Sequence, residues 1–310
     1  MAVPETLVLA ADADGIAEAA RRVLRGEPVA VPTETVYGLA ADATNAAAVA
    51  AIYAAKGRPS FNPLIVHVPD LAAAEALGEF NATARALAEA HWPGALTLVV
   101  PLREGAPLAS AVSAGLPTVA LRVPAHRVMQ ALLHAVGRPL AAPSANASGR
   151  ISPTSADHVL ATLSGRIGIV LDGGITTEGL ESTIVAVEGE RLRLLRPGPI
   201  VVANPETVRP GSKVEAPGML ASHYAPSKPV RLNAATAREG EWLIGFASVS
   251  GNASLSPNGD LAEAASKLFA ALHSADVAPG DSIAVAPIPE DGIGAAINDR
   301  LRRAAADRRD

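Results

Sequence analysis

Residues 55–68, AKGRPSFNPLIVHV, carry two cations and a histidine where none has an obvious structural use. Lys56 and Arg58 flank a glycine at the end of a helix-like run, and His67 stands inside an apolar strand-like run. Cations grouped in a loop are typical of an anion site, although they could also complement the dipole at a helix carboxyl end. Because Arg58 stands in a loop without a periodic pattern of apolar residues, we expect it to contribute little to packing.

Four polar side chains interrupt strands that are otherwise apolar on the same face: His67, Arg122, Ser182 and Arg196. Strict alternation of side chains along a strand would put Arg196 on the same face as Leu194. Each of the four, taken alone, is more often structural than functional. If they converge with the two loop cations, the resulting pocket would suit a polyanion such as a nucleoside triphosphate.

The familiar phosphate-binding motifs are missing from the chain. It has no GxxxxGK[ST] loop and no GxGxxG opening a helix, and its His and Asp residues show no i, i+4 metal spacing. No carboxylate base is obvious. The residues therefore favour chemistry by positioning and charge neutralisation, which is the character of phosphoryl and nucleotidyl transfer.

Helical and strand-like segments are intermingled in the first two thirds of the chain, which predicts an α/β (α+β) domain with a mixed sheet. A hairpin is predicted over 182–198 with its turn at 188–190. Helices are predicted at 12–25, 45–57, 81–92, 126–137 and 155–163, and strands at 64–68, 96–100, 118–124 and 167–171.

The composition changes near residue 203, where a stretch rich in Pro, Gly and Ser has no hydrophobic period. Strand and helix patterns alternate beyond it, which predicts a small parallel α/β (Rossmann-like) domain. We therefore divide the chain into a first domain at 1–205, a linker at 206–228 and a second domain at 229–310.

The bulk composition excludes several classes of protein. The chain has 310 residues, a net charge of −5 and no cysteine, so disulfides, thiolate metal sites and cysteine nucleophiles are excluded. The negative charge argues against a broad nucleic-acid-binding face. The N-terminus does not resemble a signal peptide and no apolar run approaches the ~20 residues of a membrane span, so a cytoplasmic protein is expected.

At the level of whole motifs, the chain resembles the YrdC-like domain of the threonylcarbamoyl-AMP synthase family. The later APGMLASHYAP and the last α/β segment resemble the linker and extra domain of the long form of that family. The resemblance to the YrdC-like domain rests on these blocks, in order: VPTETVYGLAADA, KGRPSFNPLIVHV, WPGALTLVV, TVALRVP, PLAAPSANASGRISPTSADHV, DGG with GLESTIV, and LRPG.

The resemblance implies a reaction and a fold. Such an enzyme joins L-threonine, bicarbonate and ATP into threonylcarbamoyl-adenylate and releases pyrophosphate. Downstream proteins then transfer the threonylcarbamoyl group to the adenosine beside the anticodon of tRNAs. The implied fold is a twisted mixed sheet with a concave, basic cavity. Mg²⁺ is expected with the ATP, although the sequence shows no protein ligand for it.

The resemblance also implies roles for individual residues. The linker residue Tyr224 is expected to close over the nucleotide. The threonine set is Thr35, His67, Arg122, Ala142 through its backbone, and Ser182. The ATP set is Arg58, Asn62, Thr118, Ser144, Ser152 and Arg196. The set expected at the reacting phosphates is Lys56, Arg58, Ser144 and Asn146.

Two other functions compete with this interpretation. A basic concave surface could hold a tRNA stem without catalysis, or contact tRNA transiently, but the net charge weighs against a binding module. A carbamoyl-phosphate-using transferase can carry the same domain. Its zinc-finger segment is impossible in a chain without cysteine.

Overall fold

The computed structural model describes residues 5–207, 214–217 and 223–306. Within these ranges the strands form one eleven-stranded sheet and one four-stranded sheet. The large sheet mixes parallel and antiparallel pairs, whereas all pairs of the small sheet are parallel. The predicted fold class is confirmed.

The first domain contains the large sheet and the helices that cover it. Its strands are β1 (Leu7–Ala10), β2 (Val29–Val31), β3 (Gly38–Asp42), β4 (Ile65–His67), β5 (Leu96–Pro101), β6 (Thr118–Arg122), β7 (Leu140–Ala141), β8 (Ile169–Asp172), β9 (Thr183–Glu188), β10 (Arg191–Arg196) and β11 (Glu206–Thr207). Its helices are α1 (Ala13–Leu24), α2 (Ala46–Lys56), α3 (Leu71–Glu75), α4 (Ala82–His91), α5 (Ser110–Ser113), α6 (Arg127–Val136) and α7 (Ala156–Leu163).

The strand order of the large sheet is β1-β8-β2-β3-β7-β4-β6-β5-β9-β10-β11. One face of its central strands packs on the main core, and the other face carries a small apolar cluster that includes Ala120 and Ile184. The linker residue Ala216 is fully buried in that second cluster. A described part of the linker therefore lies directly on the sheet face.

The ends of α2 place the two loop cations. Asn45 begins the helix, because its side chain accepts a hydrogen bond from the Ala47 amide at 3.0 Å. Gly57 ends it in the left-handed region at φ 59°. Lys56 is consequently the last helical residue, and Arg58 follows where the chain turns towards β4.

The predicted hairpin of β9 and β10 is confirmed, but its register contains an irregularity. Leu194 pairs with Val185, whereas Arg196 pairs with Ile184, so one residue of β10 is bulged between them. Val185 belongs to the main core and Ile184 to the cluster on the opposite face. The prediction that Arg196 shares the face of Leu194 is therefore wrong, because the bulge turns Arg196 to the other side.

The second domain packs directly on the first. Leu180 from the first domain and Phe269 from the second belong to one apolar cluster, and both are fully buried. A Cβ placed on Gly179 would lie 2.4 Å from the Ser266 carbonyl oxygen. The elements of the second domain are β12 (Val230–Arg231), β13 (Glu241–Gly245), β14 (Ala253–Ser254), α8 (Leu261–Val277), β15 (Ser282–Val285) and α9 (Ile293–Ala304).

The predicted linker is partly ordered against both domains. Its first two residues form β11, which pairs with β10 and extends the large sheet. Gly218, Met219 and Leu220, which the sequence places at the centre of the linker, lie outside the described residues. In the described ranges, no helix has the length and apolar character needed to cross a membrane.

Candidate active site

A cavity of about 40 Å³ lies between the sheet face and the linker, and we call it the central cavity. All of the predicted threonine set lines it, together with part of the predicted ATP set. Eight further lining residues lie outside the predicted sets, and Glu181, Pro217 and His223 are among them. The predicted residues that line it are Thr35, His67, Arg122, Ala142, Ser182, Arg58, Ser144, Arg196 and Tyr224.

Arg122 is the centre of one wall of the cavity. Its Nη1 donates to Thr35 Oγ1 at 2.9 Å, its Nη2 to Glu34 Oε1 at 2.6 Å and its Nε to the Gly94 carbonyl at 3.1 Å. Burial raises the pKa of Glu34, but the charge and hydrogen bond of Arg122 outweigh it, so the net pKa lies below its usual value. The pair is therefore ionised and fixes the Thr35 hydroxyl.

His67 lies beside Arg122, because the two residues are partners in the parallel pairing of β4 and β6. Burial, with a further contribution from the Arg122 charge, lowers the pKa of His67 to about 3. Its Nδ1 is buried and has no partner among the described residues. His67 is thus a neutral imidazole with one ring nitrogen available to a ligand of the cavity.

Ser182 and Arg196 line the cavity together and are joined by hydrogen bonds. Arg196 donates from Nη2 to Ser182 Oγ at 3.1 Å and from Nε to the Ser182 carbonyl at 3.0 Å. The Ser182 hydroxyl also lies 2.7 Å from Thr97 Oγ1. The bulge in β10 makes these contacts possible, since it brings Arg196 to the cavity face.

Lys56 organises the loop that follows β7. Its Nζ donates to the carbonyl oxygens of Ser144 and Asn146, each at 2.5 Å, and only 2% of the residue is exposed. Burial, helped by the charge of Arg58, lowers the pKa of Lys56 well below its usual value. Lys56 therefore shapes this loop, and in this arrangement it does not line the cavity.

Asn146 is also engaged within this loop. Its Nδ2 donates to the carbonyl oxygens of Ala147 and Arg150, both at 2.9 Å. Its Oδ1 is buried and has no partner among the described residues. The SAN segment thus presents Ser144 to the cavity while Asn146 fixes the loop behind it.

Arg58 is buried, so the expectation that it contributes little to packing is wrong. It donates from Nε to the Asn62 carbonyl at 3.2 Å and from Nη2 to the Pro63 carbonyl at 2.9 Å. Burial lowers the pKa of Arg58 to about 10. Its guanidinium lines the central cavity and also fixes the loop that leads into β4.

Three residues of the predicted ATP set lie outside the cavity lining. Ser152 is fully buried behind the wall and donates to Glu181 Oε1. Asn62 is buried, and its Oδ1 has no partner within the described ranges. Thr118 lies at the far end of the β6 face and lines a separate cavity of about 350 Å³ with Phe80. The structure does not bring Thr118 to the other predicted residues.

Tyr224 covers the cavity from the linker side. It is fully buried with φ 62°, and its ring centroid lies 5.6 Å from that of Phe269. The neighbouring His223 packs edge-on against it at 4.1 Å. Burial lowers the pKa of His223 well below its usual value, and the surrounding cations lower it further.

Glu181 in the cavity wall and Glu34 behind Arg122 do not fit a protein-held magnesium ion. Glu34 and Glu181 are each paired with a buried arginine, at 2.6 and 2.8 Å. Within the described residues, no group of three His, Cys, Asp or Glu side chains could hold a metal. A magnesium ion at this site would have to be held by phosphate oxygens and water.

The mixed sheet and its arginine-lined cavity define a YrdC-like domain. The family model for Sua5, YciO and YrdC proteins, described as "Telomere recombination", matches residues 21–198. A second, described as "Threonylcarbamoyl-AMP synthase, C-terminal domain", matches residues 175–306.

Curated relatives that match nearly the whole chain identify the family within this class of protein. The threonylcarbamoyl-AMP synthase of Bacillus subtilis is 41% identical over 94% of this chain and 93% of its own length. The threonylcarbamoyl-AMP synthase of Pyrococcus abyssi is 38% identical over 93% of this chain and 93% of its own length. The chain belongs to the threonylcarbamoyl-AMP synthase family, and it is an enzyme of this type, as the motifs predicted.

The fold agrees with a solved structure of the same family. The crystal structure of P. abyssi Sua5 complexed with L-threonine superposes with a TM-score of 0.89 at 36% identity, covering 97% of this chain and 98% of that one. The similarity covers nearly the whole of both chains and therefore includes the large sheet and the small parallel sheet.

Proposed function

We propose that this enzyme joins L-threonine, bicarbonate and ATP into threonylcarbamoyl-AMP and releases pyrophosphate. The observation that carries the proposal is the meeting of Thr35, His67, Arg122 and Ser182 with Arg58 and Arg196 in one cavity. The first four residues offer hydroxyl groups, a neutral imidazole and a fixed cation to an amino acid. The last two offer charge to a triphosphate.

The threonine side uses groups that can form directed hydrogen bonds. The unpaired His67 ring nitrogen is available to the hydroxyl or amino group of threonine, and the Ser182 hydroxyl lines the same cavity. Arg122 supplies positive charge for the carboxylate, and Glu34 holds the guanidinium in place. This assignment is supported by the P. abyssi relative, whose crystal structure contains L-threonine.

The chemical steps need positioning and charge balance more than acid–base groups. The threonine amine attacks the carbon of CO2 derived from bicarbonate, loses a proton and becomes a carbamate. A carbamate oxygen then attacks the α-phosphorus, and the bond to pyrophosphate breaks. Arg58 and Arg196 compensate the charge that moves to pyrophosphate. Lys56 and Asn146 hold the loop that presents Ser144.

We propose that Mg²⁺ enters only as the companion of ATP, and no step is assigned to it. We also propose that downstream proteins transfer the threonylcarbamoyl group to tRNA in the cytoplasm, with at most a transient tRNA contact on this enzyme. A role as an RNA-binding module alone is not favoured. Filter binding of unmodified tRNA across salt concentrations tests it, since phosphate contacts give a steep salt slope.

The linker is proposed to act as a lid. The central cavity is about 40 Å³, whereas pockets for ligands of drug size are on the order of 300–1,000 Å³. Pro217, His223 and Tyr224 line the cavity from the linker, so they must move for ATP to enter. Closure afterwards would keep water from the labile carbamate.

The decisive experiment measures pyrophosphate release with each of the three substrates omitted in turn. Release should require all three and should fall by about 10-fold or more when valine replaces threonine, since an unpaired buried polar group costs about 1–3 kcal/mol. Thr35→Val should reduce release strongly, while Thr236→Val, at an exposed position of the second domain, serves as a matched control. Equal turnover with valine would overturn the threonine assignment.

A further inference from the structure

Glu181 lies in the wall of the central cavity, where it contacts the buried Arg300 of the second domain and feels the charge of the buried Arg196 of the first. Its Oε2 accepts from Arg300 Nε at 2.8 Å, and its Oε1 accepts from Ser152 Oγ. The charges of Arg300 and then Arg196 outweigh the effect of burial and hold the pKa of Glu181 below its usual value. The carboxylate is therefore ionised, and α9 supplies its nearest cation.

Arg300 is held rigidly in the second domain. It is completely buried, its Nη1 donates to Asp299 Oδ2 at 2.8 Å, and its guanidinium carbon lies 5.2 Å from the centre of the Tyr224 ring. Burial lowers the pKa of Arg300, but Tyr224, Glu181 and Asp299 together raise it above its usual value. Arg300 therefore contacts both the wall and the lid of the cavity.

A second contact from α8 reaches the same part of the wall. His273 Nε2 lies 3.2 Å from the Ser152 carbonyl oxygen, and since a carbonyl only accepts, this nitrogen carries the hydrogen. The His273 ring stacks on His158 of the first domain, with centroids 3.9 Å apart and 11° between planes. The second domain thus fixes Ser152 through its backbone and, by way of Glu181, through its side chain.

We infer that Arg300 and His273 of the second domain are positioning residues for the ATP side of the reaction. They act through Glu181 and Ser152, whereas the threonine side is held within the first domain. This inference rests on the proposed function and gives the second domain a role beyond anchoring the linker. The activity of the unaltered chain tests the function separately.

The arrangement explains why loss of Arg300 would affect ATP selectively. Without it, Arg196 is the remaining cation beside Glu181 among the described residues. Arg196 would then turn towards the carboxylate and lose its hydrogen bonds to Ser182, which now aim its guanidinium. Arg122, with its own partner Glu34, would keep its position, and Ser182 would keep its contact with Thr97 Oγ1.

The test compares Arg300→Met with Arg302→Met in the full chain. Arg302 lies on the same helix but is exposed and pairs only with the exposed Glu290 among the contacts described. We expect Arg300→Met to raise KM for ATP about tenfold, the lower end of the range for residues that orient the ligands of a metal ion. KM for threonine should stay within about twofold, a difference of about 0.4 kcal/mol. Arg302→Met should change neither.

Two further variants separate positioning from stability. Arg300→Lys keeps the charge and should recover part of the ATP affinity, while His273→Gln, which can still donate to the Ser152 carbonyl, should leave KM for ATP less affected than His273→Ala. If Arg300→Met does not fold, His273→Ala, with His273→Gln as its control, replaces it in the assay. Unchanged KM for ATP, or equal increases for ATP and threonine, in the folded variant would overturn the inference.

Discussion

The two walls of the central cavity use the same device, a buried Arg–Glu pair, but they differ in where the partners come from. Arg122 and Glu34 both belong to the first domain, with 2.6 Å between Nη2 and Oε1. Glu181 and Arg300 belong to different domains, with 2.8 Å between Oε2 and Nε. On the proposed assignment, the first domain organises the threonine side alone, whereas the ATP side is complete only when the second domain is docked.

The largest expected effect comes from breaking the pair inside the first domain. Arg122→Met should lower the free energy of unfolding by about 3–5 kcal/mol, because it leaves Glu34 buried without a cation. It should also abolish threonine-dependent pyrophosphate release. Urea denaturation and the release assay measure both effects, and Arg127→Met, at an exposed position on α6, is the control. A stability loss no greater than in the control would contradict the role of this pair.

Pushing the domains apart tests the other wall. Gly179→Ala should destabilise the chain by about 3 kcal/mol, from the left-handed backbone and the clash with the Ser266 carbonyl. It should raise KM for ATP more than KM for threonine. The matched control is Gly174→Ala, whose backbone is also left-handed at φ +83° but whose Cβ would meet nothing within 4 Å. Similar effects of the two variants would show that the interface does not matter.

A smaller effect should appear in the pH dependence of stability. The pKa of His67 is about 3 in the folded chain against 6.5 in the unfolded one, so the unfolded state binds the proton first as pH falls. This residue should therefore cost about 2 kcal/mol of stability between pH 7 and pH 5.

Denaturation at the two pH values measures this cost. His67→Gln, compared with the unaltered chain, should reduce the difference between pH 7 and pH 5. His134→Gln, at an exposed position on α6, should leave the difference unchanged. A His67→Gln variant with the full pH difference would show that His67 is not buried as a neutral ring.

The smallest effect is expected at an exposed pair of the same chemistry. Arg191 and Glu206 form an ion pair in which both side chains are 56% exposed. Arg191→Gln should leave the melting temperature and both KM values unchanged within error, because water and salt already screen this pair. A clear loss of stability would mean that burial is not what distinguishes the two cavity pairs.

The structure brings all of the predicted threonine set to the central cavity but only part of the predicted ATP set, for physical reasons. Alternation along a strand is a local rule, and it correctly places His67 with Arg122. The rule fails at Arg196, because a single bulged residue reverses the faces. It also gives the face of Thr118 but not how far along that face the cavity extends.

The contact of Glu181 with Arg300 had no local signal at all. The two residues are 119 positions apart, and only the packing of α9 against the first domain brings them together. The motif GLESTIV could have drawn attention to Glu181, as PTET could have to Glu34. Neither motif indicates the partner. The fold class and the hairpin could be predicted from the sequence, because hydrophobic periodicity and turn residues are local patterns.

The 119-residue separation of Glu181 and Arg300 has a consequence for the order in which the protein is made. During synthesis from the N-terminus, the strands of the first domain and Glu181 leave the ribosome before α9 has been translated. A chain interrupted before α9 therefore holds the carboxylate without its principal counter-ion. A chain truncated before α9 would still contain both partners of the Arg122–Glu34 pair, but its Glu181 would lack Arg300.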